Sequence, residues 1–443
     1  MDTIEKLICK IIDDNSEKII DFATDIWNNA ELGFREYRTA EKFANGLEAL
    51  NLKAHTEIAV TGVKSYLKPP QKDLLTVALM GELDALPSTN GKYSNPKTGA
   101  SHMCGHNAQL AGVFGAAIAL TDSRVADALD GNIAFFGVPA EEYVHDEIIK
   151  NLRNQGKIKY SYGKPEMIRL GAMNDIDIVV GHHTTTTNNF VVANRSCNGF
   201  ITKVATFKGV SAHSAENPQD GVDAQNAAVL AMMAVDMQRE SFMEKDCIRV
   251  HGAITKGASA TNIIANETVV EYAIRGKNVE AYINASKKID RALRAAALAT
   301  GCAVSIKTVP GNLPIRPVSD TVAVEDALKL ICGDSPIFYS TPEMHSTSSG
   351  DYGDVSHILP LLQFNIGGFS GSLHNENLEV VDTNIAYVAS AKAYALTAYQ
   401  LLKSNAQRAI ALKNSFTPIF TKEEYLSFMD NSFSEINYPA EKL

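Results

Sequence analysis

Leu75-Thr-Val-Ala-Leu-Met80 runs directly into Gly81-Glu82-Leu83-Asp84-Ala-Leu-Pro87, an apolar run closed by two carboxylates and a proline. Short apolar runs bounded by turn residues read as buried strands. Carboxylates at the carboxyl end of such a strand lie where open α/β sheets place their functional sites. Two further runs repeat the pattern: Gly131-Asn-Ile-Ala-Phe-Phe-Gly-Val138, followed by Pro-Ala-Glu141-Glu142, and Ile176-Asp-Ile-Val-Val180, followed by Gly181-His182-His183. Around them, small and apolar residues recur at helical spacing over Glu17 to Ala30, Thr39 to Leu50, Gln109 to Leu120 and Asn384 to Lys403. Strands alternating with helices in this way predict an α/β fold, a sheet with helices covering its faces.

At 443 residues, 45% hydrophobic and 21% charged, the chain exceeds what one compact core usually serves, so two domains are expected. The character changes near Asn194. Phe200 to Phe207 alternates like a half-exposed strand, Asp220 to Glu240 reads as a helix, Val269 to Arg275 alternates again and Val279 to Thr300 is helical. After the turn-rich Val309-Pro-Gly-Asn-Leu-Pro314 the first pattern resumes. The expected division is therefore 1–195 as the first part of a larger domain, 196–312 as a smaller inserted α+β domain, and 313–443 as the second part of the larger one. The polar residues from about Asn414 onward predict a loosely held tail.

A net charge of -10 without any basic block argues against nucleic acid or an anionic membrane surface as a partner. Met1 to Asn15 carries Lys6, Lys10, Asp13 and Asp14 within a hydrophobic stripe, which predicts an amphipathic helix and not a signal peptide. No stretch is long and apolar enough to span a bilayer. Six widely spaced cysteines argue against a disulfide framework, and the cytoplasm is the expected location.

Four scattered segments carry the residue types that two divalent ions need: Cys104 and His106, Glu141 and Glu142, His183, and His374. Met103-Cys104-Gly105-His106 opens onto a small-residue helix, whose dipole favours a thiolate. The alternatives are a buried Cys beside a capping His, and, ranked below metal ligation, a nucleophilic Cys with a His base. Asp84 could orient a ligating His, or it and Glu82 could be solvated turn residues. Adjacent Glu141 and Glu142 cost several kcal/mol to bury without a cation, about what one uncompensated buried charge costs. One could ligate while the other takes a proton from a polarised water; a solvated acidic loop is the plain alternative. His374, alone in Gly371-Ser-Leu-His374-Asn-Glu, gains weight only from the other segments.

The succession Gly-Glu-Leu-Asp-Ala-Leu-Pro, Cys-Gly-His-Asn, Pro-Ala-Glu-Glu, Gly-His-His and Leu-His resembles the metal-dependent amidohydrolases of the aminoacylase and carboxypeptidase superfamily. Gly350-Asp351-Tyr-Gly353-Asp354-Val-Ser356 and the long stretch between Glu142 and His183 resemble, more closely, the aminobenzoyl-glutamate hydrolase and dipeptidase branch. The likeness covers roughly residues 20 to 405. It implies a zinc-peptidase-like mixed sheet covered by helices, interrupted by a lid domain that usually also forms a homodimer interface. It implies two divalent metals, zinc or manganese, held by Cys104, His106, Glu142, His183 and His374, with Glu141 as general base and acid. His182 is then a neighbour and not a ligand. In the inserted domain, Gly209-Val-Ser-Ala-His213 resembles the loop whose His stabilises the oxyanion, within or across subunits, and Asn262 and Arg275 match positions that hold a substrate carboxylate or the tetrahedral intermediate.

The chain also departs from that pattern. Many relatives continue Cys-Gly-His with Asp and, two residues later, His, where this chain has Asn107 and Gln109. Asn107 supports a ligand only as a neutral acceptor, which puts metal affinity or metal choice in question. Aminoacylase members carry His where Glu82 stands. The function expected is cleavage of a small carboxylate-bearing amide (aminobenzoyl-glutamate, a dipeptide or an N-acyl amino acid); the alternative is a catalytically silent member that binds a similar ligand.

Overall fold

The computed structural model describes residues 1–88 and 91–440. Contacts divide them into two units, the first built from Met1–Arg195, Arg316–Met344 and Asp354–Ile419. Its centre is an eight-stranded mixed sheet in the order His55–Ile58, Gly62–Tyr66, Asn132–Val138, Thr76–Glu82, Ile178–Thr184, Leu361–Ile366, Phe190–Ala193, Ile337–Ser340. Thr76–Glu82 pairs in parallel with both neighbours, and Leu361–Ile366 runs parallel to Ile178–Thr184. Every residue of Thr76–Glu82 and Asn132–Val138 is buried, which is why those runs show no polar alternation: parallel strands are covered on both faces.

One covering helix, His106–Leu120, is buried along its entire length and built mostly of Ala, Gly and Leu. Small residues let it lie close to the sheet. At Gly81 a Cβ would stand 2.9 Å from the Leu110 backbone nitrogen, so this crossing needs glycine. Ser16–Asn28 and Tyr37–Glu48 supply two of the other expected helices. The last expected helix is longer and less regular than its pattern. A π-helical Asn384–Ala389 leads into Ser390–Ser415, broken where Ser404, Asn405 and Ala406 take positive φ. Asp130 accepts the Asn405 N–H there at 2.6 Å, satisfying a group the break frees.

The second unit comprises Ser196–Ile315, His345–Gly353 and the chain from Phe420 on. Its five-stranded antiparallel sheet has the order Arg249–Lys256, Glu267–Gly276, Gly199–Lys208, Ala303–Pro310, Ser434–Tyr438. Ala224–Asp236 and Val279–Thr300 bury Ala227, Ala228, Ala231, Ile289 and Leu293 with inward-facing Ala205, Phe207, Val270 and Ile274. The simple strand-helix-strand-helix succession is thus incomplete. Arg249–Lys256 has no buried residue to mark it, and Ala303–Pro310 runs into the segment whose prolines and glycine suggest only a turn.

The tail also differs from expectation. Thr421 and Glu424 form a reciprocal capping box that starts the helix Lys422–Asn431, and Ser434–Tyr438 pairs with Ala303–Pro310. Residues 345–353 and those from Phe420 on, which the sequence pattern assigns to the larger domain, pack with the second unit. The last three residues of the 313–443 range lie outside the described residues.

Candidate active site

Because Asn132–Val138, Thr76–Glu82 and Ile178–Thr184 are parallel neighbours, their carboxyl ends fall on one edge of the sheet. Glu82 and Asp84, Glu141 and Glu142, and His182 and His183 lie at those three ends. His106 is the first residue of its helix, and Gly105 before it has φ +77°. A Cβ on Gly105 would collide with the Thr184 side chain, while the Thr184 hydroxyl donates to the Gly105 carbonyl at 3.2 Å. The Cys-Gly-His turn is thereby fixed against the third strand. His374, itself at φ +60°, is tied to the same turn by its N–H, which donates to Met103 O at 2.7 Å.

Two groups of possible ligands converge, each with its ligand atoms within 4.8 Å of one another: Cys104, Glu142 and His374, and Glu82, His106 and Glu141. His374 Nε2 is 3.2 Å from Glu142 Oε1, and Cys104 Sγ is 3.5 Å from His183 Nε2. His183 Nδ1 lies 2.8 Å from Thr184 O, so its N–H donates there and the Nε2 lone pair faces Cys104. Asp84, fully buried, lies 3.1 Å from His106 Nδ1 through Oδ1 and accepts the Glu142 N–H at 2.9 Å through Oδ2. His106 Nε2 faces Glu82 at 3.1 Å, Glu141 at 3.9 Å and Glu142 at 4.0 Å. Neither Glu82 nor Asp84 is a solvated turn residue.

The electrostatics ask for a cation. Burial alone would depress His106, but Glu82, Cys104 and Asp84 outweigh it and raise its pKa well above the usual imidazole value. His106 Nε2 has no partner in hydrogen-bonding geometry. A positive charge is therefore favoured at that atom, as a proton or as a metal. Burial pushes the Cys104 thiol far up, and His106 does not offset it, so the helix start alone does not produce the thiolate the sequence suggests. Burial likewise raises Glu142, yet His374 and His106 hold it below the ordinary carboxylate value. Burial lowers the pKa of His183 below the usual imidazole value. A mixed thiolate, imidazole and carboxylate donor set around an unsatisfied buried imidazole nitrogen fits divalent metal ions of the zinc type.

Sequence reasoning missed several residues here. Lys164, fully buried on the helix Gly163–Arg169, places Nζ 2.6 Å from Glu82 Oε1. Gln109 donates to Glu82 Oε2 at 2.8 Å, an approach legible in principle because positions 106 and 109 share a helix face. Glu36 accepts the Ala140 N–H at 2.8 Å and the Thr61 hydroxyl at 2.6 Å, and so holds Ala140 in its left-handed conformation, φ +46°, just before Glu141. Asn107 turns away from the ligand groups: its Nδ2 lies 3.1 Å from Tyr387 Oη and 3.4 Å from Ala23 O. His182 stacks on Phe364 and meets Tyr394 edge-on, kept neutral by burial with a pKa near 3.

Burial, then the Asp84 charge, pushes Glu36 up to about 8 from 4.5. The stability this carboxyl contributes is fully present below about 4.5 and is lost as pH rises through about 8. Glu36→Gln, which keeps an acceptor for Ala140 and offers a donor to Thr61, is therefore expected to gain on wild type in unfolding free energy as pH rises across that window. A stability difference that is flat with pH in denaturant titrations would refute it.

In the second unit, His213 pairs with Ile263 in an isolated antiparallel bridge, and Asn262 O accepts the Ser214 N–H at 3.2 Å. The His213 Nδ1 accepts from Ala215 N at 3.2 Å and Glu216 N at 3.0 Å, which leaves the proton on Nε2 as an outward donor. Arg275 lies on an interior strand opposite Phe200, with its guanidinium over that ring.

Comparison with known proteins adds to this geometry. Residues 78–400 match the sequence profile of peptidase family M20/M25/M40. The chain is 27% identical to human Xaa-Arg dipeptidase over 421 residues, 88% of this chain and 87% of that protein. It is 26% identical to one of the p-aminobenzoyl-glutamate hydrolase polypeptides of Escherichia coli K12 over 356 residues, 78% of this chain and 67% of that one. A dinuclear metal-binding M20 peptidase of Bacillus subtilis superposes with a TM-score of 0.62 at 20% identity, covering 87% of this chain and 98% of that one, a likeness of fold.

Proposed function

This chain belongs to peptidase family M20/M25/M40 and is a metal-dependent hydrolase of peptide or related amide bonds; we propose that it uses two divalent ions to cleave a small amide whose product carries a free carboxylate. The observation that carries this reading is the convergence of two ligand groups, Cys104, Glu142 and His374 beside Glu82, His106 and Glu141, at one edge of the sheet. The proposed ligands are Cys104, His106, Glu142, His183 and His374. Bound divalent ions would supply Lewis-acid chemistry, bringing the pKa of a water towards neutrality and polarising the scissile carbonyl.

The chain's own groups do the rest. Glu141 accepts the proton of the attacking water and returns it to the leaving amine nitrogen, so the proton count balances over the cycle. Asp84 fixes the tautomer and direction of His106 through Nδ1, and Thr184 O does the same for His183. We assign His213 to the oxyanion, which the donor state of its Nε2 supports. Asn262 and Arg275 are assigned to the substrate carboxylate, for which the guanidinium fork is suited. The names of the relatives favour a dipeptide or aminobenzoyl-glutamate as the substrate.

The test is product release by metal-reconstituted protein from aminobenzoyl-glutamate, Xaa-Arg dipeptides and N-acyl amino acids, with metal counted on the same sample. Turnover of one class with two ions per chain is expected. Two ions and no turnover in any class sinks the substrate assignment; fewer than two ions in active protein sinks the two-metal reading.

A further inference from the structure

A site that attracts cations nevertheless contains a buried cation of its own. Lys164 is 0% exposed, and its ammonium meets Glu82 Oε1 at 2.6 Å. The other oxygen, Oε2, accepts from Gln109 Nε2 at 2.8 Å and lies 3.1 Å from His106 Nε2. Gln109 closes the arrangement, since its Oε1 faces the Glu82 N–H at 3.3 Å. Glu82 is thus gripped on both oxygens. Its charge is cancelled by Lys164, and only Oε2 is turned towards the nitrogen of a proposed ligand.

We propose that Lys164 is a positioning residue that tunes the metal position at His106, cancelling the Glu82 charge and holding Oε1 out of reach of the ion. Glu82 then acts as an oriented acceptor beside the site and not as a further anionic ligand. An ammonium this close to a divalent ion repels it, and the repulsion is weakly screened because Lys164 and Glu82 are both buried. The consequence is a directional one. Without Lys164 the net negative charge around His106 increases and the ion there is held longer. Without the Glu82 charge the ion is held more weakly. With both removed the charges cancel again. A role in packing alone has no such sign: loosening the site by either substitution would release the ion faster.

This inference rests on the two-metal reading, and its test separates the two. Zinc-loaded holoprotein is mixed with a chromogenic chelator and the release rates of the ions are followed, alongside circular dichroism of each variant. Lys164→Met is expected to slow one release phase about tenfold, within the range for perturbed supporting partners. Glu82→Gln is expected to speed the same phase about tenfold, and the double variant to fall within about threefold of wild type. Lys164→Arg, which keeps the charge, is expected to match wild type. Both single variants moving in one direction, or Lys164→Met leaving release unchanged, would overturn the proposal. If a single variant fails to fold, the double variant decides: near-wild-type release supports the charge cancellation, and release about tenfold faster overturns it. A wild-type chain that binds no zinc would overturn the two-metal reading together with this inference.

Discussion

Glu141→Gln is expected to lower kcat and kcat/KM together by about a thousandfold, in the range that general acid–base catalysis contributes, while both metals stay bound. Glutamine keeps the size and the hydrogen-bonding reach of the side chain but cannot take a proton. The two adjacent carboxylates differ in surroundings: the Glu142 side chain is 10% exposed and lies against His374, whereas that of Glu141 is 16% exposed and stands 3.9 Å from His106 Nε2. The more open of the two is better placed to meet a water and a leaving amine. Glu142→Gln should instead lower metal content. Kinetics with metal analysis on both variants separates the roles. Loss of an ion from Glu141→Gln would make Glu141 a ligand, in keeping with its convergence with Glu82 and His106; near-wild-type turnover would remove it from proton transfer.

Asp84→Ala is expected to cost about 3 kcal/mol of stability and to weaken metal binding by about one to two orders of magnitude. The carboxylate is fully buried and serves two segments at once, the His106 ring and the Glu142 N–H. Removing it strands the Glu142 N–H away from water and leaves His106 Nδ1 only the Asp84 backbone carbonyl, 3.0 Å away. Asp84→Asn retains an oxygen for only one of them and should fall between wild type and alanine. Urea unfolding of the metal-free protein reads the first effect and chelator competition the second. Unchanged metal affinity with reduced stability would confine Asp84 to a folding role.

The parts legible in the sequence are those where burial leaves a one-dimensional trace. Thr76–Glu82 and Asn132–Val138 are covered on both faces, so their composition alone betrays them. Val279–Thr300 carries one apolar stripe and one N-cap, and its limits follow from both. Arg249–Lys256 buries nothing, so its place in the sheet is set by backbone pairing that side chains do not record. Cys104, Glu142 and His374 are each unremarkable alone; only the joint pattern of segments points to them, and only the fold brings their atoms together. Lys164 left no trace at all. It is a single lysine in a connecting segment, and its partner Glu82 is distant in sequence. Glu36 is illegible for the same reason, its contacts to Ala140 spanning the intervening chain.

The pairing of Ser434–Tyr438 with Ala303–Pro310 also sets an order in time. A ribosome releases Ala303–Pro310 well before the strand that will lie beside it, so for that interval the margin of the second sheet is formed by Ala303–Pro310, with its half-buried side chains and bare N–H and C=O groups, instead of by the exposed Ser434–Tyr438. Unpaired margins of this kind recruit other nascent chains. Yield from cells should therefore depend on the speed with which Ser434–Tyr438 is delivered, and a stop codon placed before Ser434 should send the product into inclusion bodies even though every proposed ligand is present.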